Sequence, residues 1–233
     1  MMKLRVKYTK LEGARFLSHL ELMKAMERAF RRARIPLAFS EGFNPHPKIS
    51  YASALSVGTA SRGEYLDLEL STRMDLLDFK NQANNYLIKG IEILDVKEVK
   101  DKVKSLTAII ERAEYTAICP VEKKLTVGEL QQLIEDFLGQ PEILVNRESK
   151  DKNKVINIKE GIYNLDAELN GMNLVINFTV ASGSKGNIRA GEVYHAFITF
   201  SNIITHSSPT FIREDLYAIK DDSLCTPMGI LEG

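Results

Sequence analysis

The stretch that decides the fold covers residues 39–70, FSEGFNPHPKISYASALSVGTASRGEYLDLEL. Its residues 48–54 and 64–71 read as strands, and turn-forming residues surround both of them. Two prolines one residue apart, Pro45 and Pro47, fix φ at both positions and favour extended geometry at the residue before each. We therefore expect a stiff loop that holds Asn44 and His46 in definite directions.

The elements on the N-terminal side of this stretch are a strand and a helix. Residues 3–9 alternate apolar and charged side chains, the period of a half-buried strand. Ser18 is placed to cap a helix, with Glu21 three residues later as its capping-box partner. One apolar stripe at helical spacing follows, and Pro36 ends the pattern. With a helix over residues 75–88 and a strand over 91–99, the order is βαββαβ, the ferredoxin-like arrangement.

The second half begins with the same order of elements. A strand over residues 113–119 precedes a helix over 126–138 that Thr126 caps with Glu129. Four strands, a helix and a final strand are predicted at residues 142–146, 155–158, 162–169, 173–180, 190–201 and 211–219. We predict an α+β protein of tandem ferredoxin-like (βαββαβ) units, with an extra β-hairpin in the second. The predicted domains are residues 1–108 and 109–233.

Charge is distributed unevenly along the chain. Residues 1–48 hold 11 lysines and arginines against 4 acids, although the whole chain has 31 of each, so the remainder has 20 against 27. A basic N-terminal region favours a polyanion as ligand, and a solvated face that keeps the protein in solution explains it equally well.

The predicted first helix has an unusually basic polar face. Lys24, Arg28 and Arg31 recur at helical spacing, and Arg32 lies beside them. Glu27 is placed to pair with Arg31, yet the cations outnumber their partners, which leaves donors for phosphates. We predict RNA binding through this face. The predicted RNA-binding residues are Arg15, Lys24, Arg28, Arg31, Arg32, Asn44, His46, Lys48, Lys185, Asn187 and Arg189.

The last three of these residues lie in a glycine-rich run, residues 182–192, just before a predicted helix. Such a run can expose backbone N–H groups to a phosphate at the start of the helix. It matches neither the phosphate-loop nor the dinucleotide-binding fingerprint. A long strand-to-helix loop with no ligand explains the run equally well.

The histidines and cysteines are sparse. His19 and His46 are weak candidates for catalysis, His19 being better explained by a structural hydrogen bond and His46 by a surface position. No metal-ligand spacing is present, and no metal or cofactor is predicted. Cys119 and Cys225 are far apart, which is typical of a reduced compartment. With no signal peptide and no long apolar run, we expect a cytoplasmic protein without a membrane partner.

Two segments, residues 15–70 and GSKGNIRAGEVYHAF at 183–197, resemble a bacterial family of unknown function called radical-SAM-associated proteins. The resemblance implies a radical SAM protein as partner, because members stand alone or form the C-terminal part of cobalamin-binding radical SAM proteins. The chain itself lacks the CxxxCxxC run that binds the iron–sulfur cluster of such enzymes. RFLSHLELMKAMERAFRRARIPLAFSEGFNPHPKIS, residues 15–50, is also similar to part of some CRISPR repeat-RNA endoribonucleases, which use tandem ferredoxin-like units.

Three classes of function follow. We favour an accessory protein that binds tRNA or rRNA for a radical SAM modifying partner, and which is not itself an enzyme. A metal-independent endoribonuclease would use His19 or His46 as general acid or base, with lysine or arginine stabilising the phosphorane. A protein-interaction module would instead dock an acidic or apolar partner surface.

Overall fold

The computed structural model describes residues 1–100, 103–122, 125–149, 152–183, 186–205 and 207–232. The chain divides into two compact units. The first contains Met1–Glu111 together with Arg213–Gly233, and the second contains Arg112–Ile212. The predicted boundary at residue 108 lies close to Glu111, where the chain passes from the first unit to the second. The C-terminal 21 residues, which were predicted in the second domain, belong to the first unit.

The first unit contains the predicted βαββαβ order. Its strands and helices are β1 (Met2–Lys10), α1 (His19–Arg32), β2 (Ile49–Tyr51), β3 (Ala60–Leu70), α2 (Leu76–Asn84), β4 (Ile93–Glu98) and a single helical turn, α3 (Leu106–Ile109). A short 3-10 helix, Glu12–Phe16, precedes α1.

The strand order of the first unit is the ferredoxin-like one. β1 pairs antiparallel with β3 on one side and β4 on the other, so that Val6 lies between Leu66 and Val96. β2 pairs antiparallel with β3, Ile49 opposite Leu68. The C-terminal strand, which starts at Thr210, also pairs with β3. The predicted α+β class is confirmed.

One face of this sheet forms the apolar core with the two long helices. Leu4 and Val6 of β1 pack with Leu22, Met26 and Phe30 of α1. Phe79 of α2 is fully buried and lies 5.8 Å from the Phe30 ring, centroid to centroid. The apolar side chains that alternate along the strands pack in this layer against those at helical spacing on α1, as the sequence pattern predicts.

The other face of the sheet carries charged residues that are nonetheless buried. The Arg5 guanidinium, with no exposed surface, donates from Nε and Nη2 to the two carboxylate oxygens of Asp67 at 2.8 and 3.0 Å. It also donates to the carbonyl oxygens of Lys104 and Pro227. Arg5 therefore joins two strands, the segment before α3 and the C-terminal segment.

The C-terminal strand approaches β3 closely at Gly63. A Cβ added there would lie 2.7 Å from Asp215 Oδ1 and 2.8 Å from the Glu214 carbonyl oxygen. Around it, Asp215 accepts hydrogen bonds from the Lys7 ammonium at 2.6 Å and from the Tyr65 hydroxyl at 2.6 Å. Gly63 is buried, and its lack of a side chain allows this strand pairing.

Replacing Gly63 by alanine is expected to lower the free energy of unfolding by about 1–3 kcal/mol, the usual cost of forcing extra atoms into a packed site. Gly13 is the matched control, because an added Cβ there meets no atom within 4 Å. Urea denaturation of Gly63→Ala and Gly13→Ala compares the two. Equal stability of both variants would show that the strands separate easily at Gly63.

The second unit contains most of the predicted second set of elements. These are β5 (Ile110–Pro120), α4 (Val127–Gly139), β6 (Leu144–Ser149), β7 (Lys152–Asn157), β8 (Ile162–Asn170), β9 (Asn173–Ala181), α5 (Ala190–Ser201) and the start of β10 (Thr210–Lys220). β10 continues into the first unit, where it pairs with β11 (Ser223–Cys225).

Within the second unit β9 lies between β5 and β8, and both pairings are antiparallel. The extra hairpin is β6 with β7, which form a separate two-stranded sheet. Phe137 of α4 packs edge-on against Phe197 of α5 with ring centroids 5.3 Å apart. The Thr126–Glu129 capping box starts α4 as predicted.

Candidate functional site

The local sequence fixes which face of α1 is exposed. The Ser18 hydroxyl accepts from the Glu21 backbone N–H, and the Glu21 carboxylate accepts from the Ser18 backbone N–H, so the predicted capping box is present. The Ser18 hydrogen bonds lower the pKa of the Glu21 carboxyl, with Lys24 a smaller cause. With the apolar stripe buried against the sheet, the cations are left at the surface.

The predicted cations of α1 share this exposed face. Lys24, Arg28, Arg31 and Arg32 are all exposed. The Arg31 Nη2 donates to Glu27 Oε1 at 2.6 Å, which is the predicted i, i+4 pair. Within the described part of the chain, no carboxylate pairs with Lys24, Arg28 or Arg32. Three cations of one helix face are thus available to an anion.

Arg15, one of the predicted RNA-binding residues, lies beside an aromatic ring just before α1. Its guanidinium carbon lies 4.7 Å from the centroid of the Phe16 ring, and its Nε is buried with no hydrogen-bond partner among the described residues. Phe16 itself is 58 % exposed. The start of α1 therefore presents an aromatic ring with a cation beside it.

The loop at residues 39–47, the proline loop, is closed at its base by hydrogen bonds. The Ser40 backbone N–H donates to the His46 carbonyl oxygen at 2.8 Å, and the His46 backbone N–H donates to Ser40 Oγ at 3.0 Å. Phe39 and Pro47 form an isolated bridge across the base. Asn44 and His46 are exposed, as predicted, and lie in the same loop.

Three exposed residues near this loop and helix were not among the predicted site residues. Phe43 is fully exposed at the loop tip, and Leu20 is 58 % exposed on α1. Arg34, just after α1, is exposed with a left-handed φ of 54°. A phenylalanine between glycine and asparagine in a turn-rich loop is the sequence signal that marks Phe43.

Lys48 lines a groove of the first unit together with residues of β1, β2 and β3 and with Ser105. Its Nζ is 3.3 Å from Glu69 Oε2, and Lys3 Nζ in the same groove is 3.8 Å from Asp67 Oδ2. Both lysines are thus beside carboxylates. This pairing makes Lys48 a weaker anion contact than the cations of α1.

The His19 ring packs edge-on against Tyr51, with centroids 5.4 Å apart. The Tyr51 hydroxyl is buried with no hydrogen-bond partner among the described residues, and burial, then the Glu27 charge, raises its pKa. His19 therefore has a packing role at the start of α1, in contrast with the exposed His46.

A buried ionic cluster is formed by Glu64 of β3 and Arg213 of β10. The Arg213 Nη1 donates to both carboxylate oxygens of Glu64, at 2.9 and 3.1 Å, and to Ser53 Oγ at 3.1 Å. Lys10 is buried close by and donates from Nζ to the Leu17 carbonyl oxygen at 2.8 Å. Burial lowers the pKa of Lys10, Glu64 opposes that shift and Arg213 adds to it. The Arg213 contacts join β10 to β3, and the Lys10 hydrogen bond joins the end of β1 to the residue before the α1 cap.

Of the remaining predicted residues, Asn187 and Arg189 are described in the second unit, and Lys185 lies outside the described residues. Arg147 of β6 donates from Nε and Nη2 to the Glu192 carboxylate at 2.7 Å each, and from Nη2 to the Asn187 carbonyl oxygen. Glu192 also accepts from the Arg189 backbone N–H at 2.9 Å. A carboxylate of the chain itself thus occupies the start of α5, so the phosphate-binding interpretation of this loop gains no support.

Residues 3–190 match the family described as "Uncharacterized protein conserved in bacteria (DUF2344)". The chain belongs to this family. No curated protein matches the chain. The family description gives no reaction, ligand or partner, so membership alone does not assign a function.

Similar folds occur among solved structures. A chain of "Crystal Structure of a Cbf5-Nop10-Gar1 Complex" is 14% identical with a TM-score of 0.53, over 91% of this chain and 48% of that one. "Structure of H/ACA RNP bound to a substrate RNA containing 2'-deoxyuridine" gives 13% identity and a TM-score of 0.48, over 90% and 46%. This chain therefore spans about half the length of the proteins it resembles. At these identities the likeness concerns the fold.

Two kinds of site are absent from the described part of the chain. Among the described helices, none combines the length and apolar character that a membrane span requires. No group of three or more histidine, cysteine, aspartate or glutamate side chains that could hold a metal ion occurs within the described residues.

Proposed function

We propose that the protein binds RNA through the exposed face of α1, the basic face, which consists of Lys24, Arg28, Arg31 and Arg32. The observation that carries the proposal is the set of three cations, Lys24, Arg28 and Arg32, that have no carboxylate partner within the described residues. Lys24 and Arg32 are eight residues apart on α1, about 12 Å along the helix axis, so the three cations can contact neighbouring phosphates of one RNA strand.

The local charge supports a polyanionic ligand although the whole chain is neutral. The segment from Glu21 to Arg34 contains five cations, Arg34 included, against the carboxylates of Glu21 and Glu27. Glu27 is engaged by Arg31, and Glu21 caps the helix. Arginine donors suit phosphate oxygens because the planar guanidinium binds two oxygens at once.

The proposed physiological role is that of an accessory protein, which holds tRNA or rRNA for a radical SAM modifying partner. The resemblance of residues 15–70 and 183–197 to radical-SAM-associated proteins motivates this step. The two cysteines, Cys119 and Cys225, cannot supply the three cluster ligands of such an enzyme. A chain that binds the substrate and lacks these cysteines would act with a radical SAM protein or domain that holds the cluster.

Fluorescence anisotropy of a labelled RNA titrated with the protein tests the proposal. We expect a dissociation constant of about 10⁻⁴–10⁻⁶ M at physiological salt, typical of phosphate-driven binding, and tighter binding at lower salt. An absence of RNA binding at low salt would refute it and favour a protein-interaction module.

His46 is expected to be dispensable for stability. The ring is exposed, and the backbone of the residue rather than its ring forms the bonds to Ser40. Replacing His46 by alanine should change the free energy of unfolding by no more than about 0.5 kcal/mol, as for surface positions, while RNA affinity falls. A large loss of stability would show a structural role. Unchanged affinity with loss of RNA cleavage would favour the endoribonuclease alternative.

A further inference from the structure

Phe43 is an aromatic side chain that the folded chain leaves entirely in water. It is fully exposed, and Phe39 at the base of the same loop is 42 % exposed. Burial of a phenyl ring is favourable, so a ring left in solvent at the tip of a loop is available to a ligand.

The loop that carries Phe43 is restrained at its base and on its C-terminal side. The reciprocal bonds between Ser40 and His46 close its base. Pro45 and Pro47 fix φ on the C-terminal side of the loop. Gly42, just before Phe43, has a φ of 116°, a conformation that favours glycine. A preorganised ring loses little conformational entropy when a ligand stacks on it.

The loop is close in the chain to the basic face. Phe43 is nine positions after Arg34 in the chain, so the two lie at most about 30 Å apart. The segment between α1 and the loop is fixed to the first unit, since the Ile35 N–H donates to the Phe30 carbonyl oxygen of α1 and the Ala38 N–H donates to the Glu69 carbonyl oxygen of β3. A strand whose phosphates contact Arg31 or Arg32 can therefore reach the loop with a base.

We propose that Phe43 stacks on an unpaired base, so that the preferred ligand is single-stranded RNA. This inference rests on the proposed function of the basic face. An aromatic ring combined with a basic surface is how proteins bind single strands, because every base has a face on which a ring can stack. Duplex RNA hides those faces, and contacts to its phosphates need no aromatic ring.

The chain contains no tryptophan, which allows a direct test. Phe43→Trp introduces a single indole at the loop tip. We expect its fluorescence to change as oligouridine RNA is added, over the same concentrations at which the RNA binds by anisotropy. An indole signal that stays constant while oligouridine is bound would overturn the stacking contact.

The RNA affinity of a variant without the Phe43 ring is the second test of the proposal. Phe43→Ala should weaken oligouridine binding about 5- to 150-fold, the range for loss of one stacked base, and leave binding to a blunt RNA duplex unchanged. Tyr86→Ala is the matched control, since Tyr86 is a half-exposed aromatic residue that follows α2. Wild-type oligouridine affinity in Phe43→Ala would refute single-strand preference but leave the proposed function intact. If the wild-type protein binds neither RNA, the proposed function itself fails.

Discussion

Replacing Arg5 by methionine is expected to lower the free energy of unfolding by about 3–5 kcal/mol, the usual cost of removing one partner of a buried ion pair. Methionine retains the length of the side chain but leaves the Asp67 carboxylate, itself buried, with Lys3 at 3.8 Å as its one cationic neighbour among the described residues. The bonds to the Lys104 and Pro227 carbonyl oxygens are lost as well. Urea denaturation followed by circular dichroism measures the change.

The control for this substitution is Arg73→Met. Arg73 pairs with Glu98 at 2.8 Å, but its side chain is 71% exposed, so the pair contributes at most about 1 kcal/mol. The double variant Arg5→Met, Asp67→Leu should recover most of the stability, because both buried charges are gone. If Arg5→Met is as stable as Arg73→Met, the Arg5–Asp67 pair does not hold the polar face together.

Reversing three charges of the basic face is expected to weaken RNA binding at least about a hundredfold at 0.1 M salt. Each phosphate contact contributes about 0.7–0.9 of a power of ten at 0.1 M relative to 1 M salt, through counterion release. The variant is Lys24→Glu, Arg28→Glu, Arg32→Glu, and anisotropy with labelled RNA measures the loss. All three residues are exposed, so the fold should be retained, which the urea transition checks.

The matched control changes the net charge equally but elsewhere on the first unit. Arg73→Glu, Lys89→Glu, Lys220→Glu alters three exposed cations that lie outside α1 and the proline loop. We expect this variant to retain most of the RNA affinity. Equal weakening by both variants would indicate that overall charge, and not the basic face, attracts RNA.

Local patterns were sufficient to predict most elements of the fold. The Ser18–Glu21 and Thr126–Glu129 boxes fix where α1 and α4 begin, because each satisfies backbone N–H groups that the helix leaves free. Residues 190–201 were predicted as a helix with the bounds that α5 has. These signals depend on residues within a few positions of one another, which is why the sequence alone reveals them.

Contacts between distant residues were not predictable in the same way. Arg5 and Asp67 occupy the polar positions of two alternating strands, which ordinarily face water. They are buried because the segment around Lys104 and the segment around Pro227 lie over them, and nothing in their local sequence identifies those segments. The ion pair between Arg213 and Glu64, which are 149 positions apart in the chain, could not be predicted for the same reason.

The candidate site was partly predictable for a related reason. The basic face follows from helical spacing, so Lys24, Arg28, Arg31 and Arg32 were identified together. Arg15 was identified from its position before the helix, but its contact with the Phe16 ring was not predictable from spacing. Phe43 was missed because an apolar residue in a loop is usually part of a packing contact, and only the structure shows its ring exposed.

The salt dependence of RNA affinity tests the central claim, that phosphates bind the basic face, most directly. The slope of log K against log salt concentration should be shallower by about 2–3 for Lys24→Glu, Arg28→Glu, Arg32→Glu than for the wild type, since three contacts of about 0.7–0.9 each are removed. The Arg73, Lys89, Lys220 control should retain the wild-type slope. Equal slopes for the wild type and the basic-face variant would contradict the claim, because the three cations would then neutralise no phosphate.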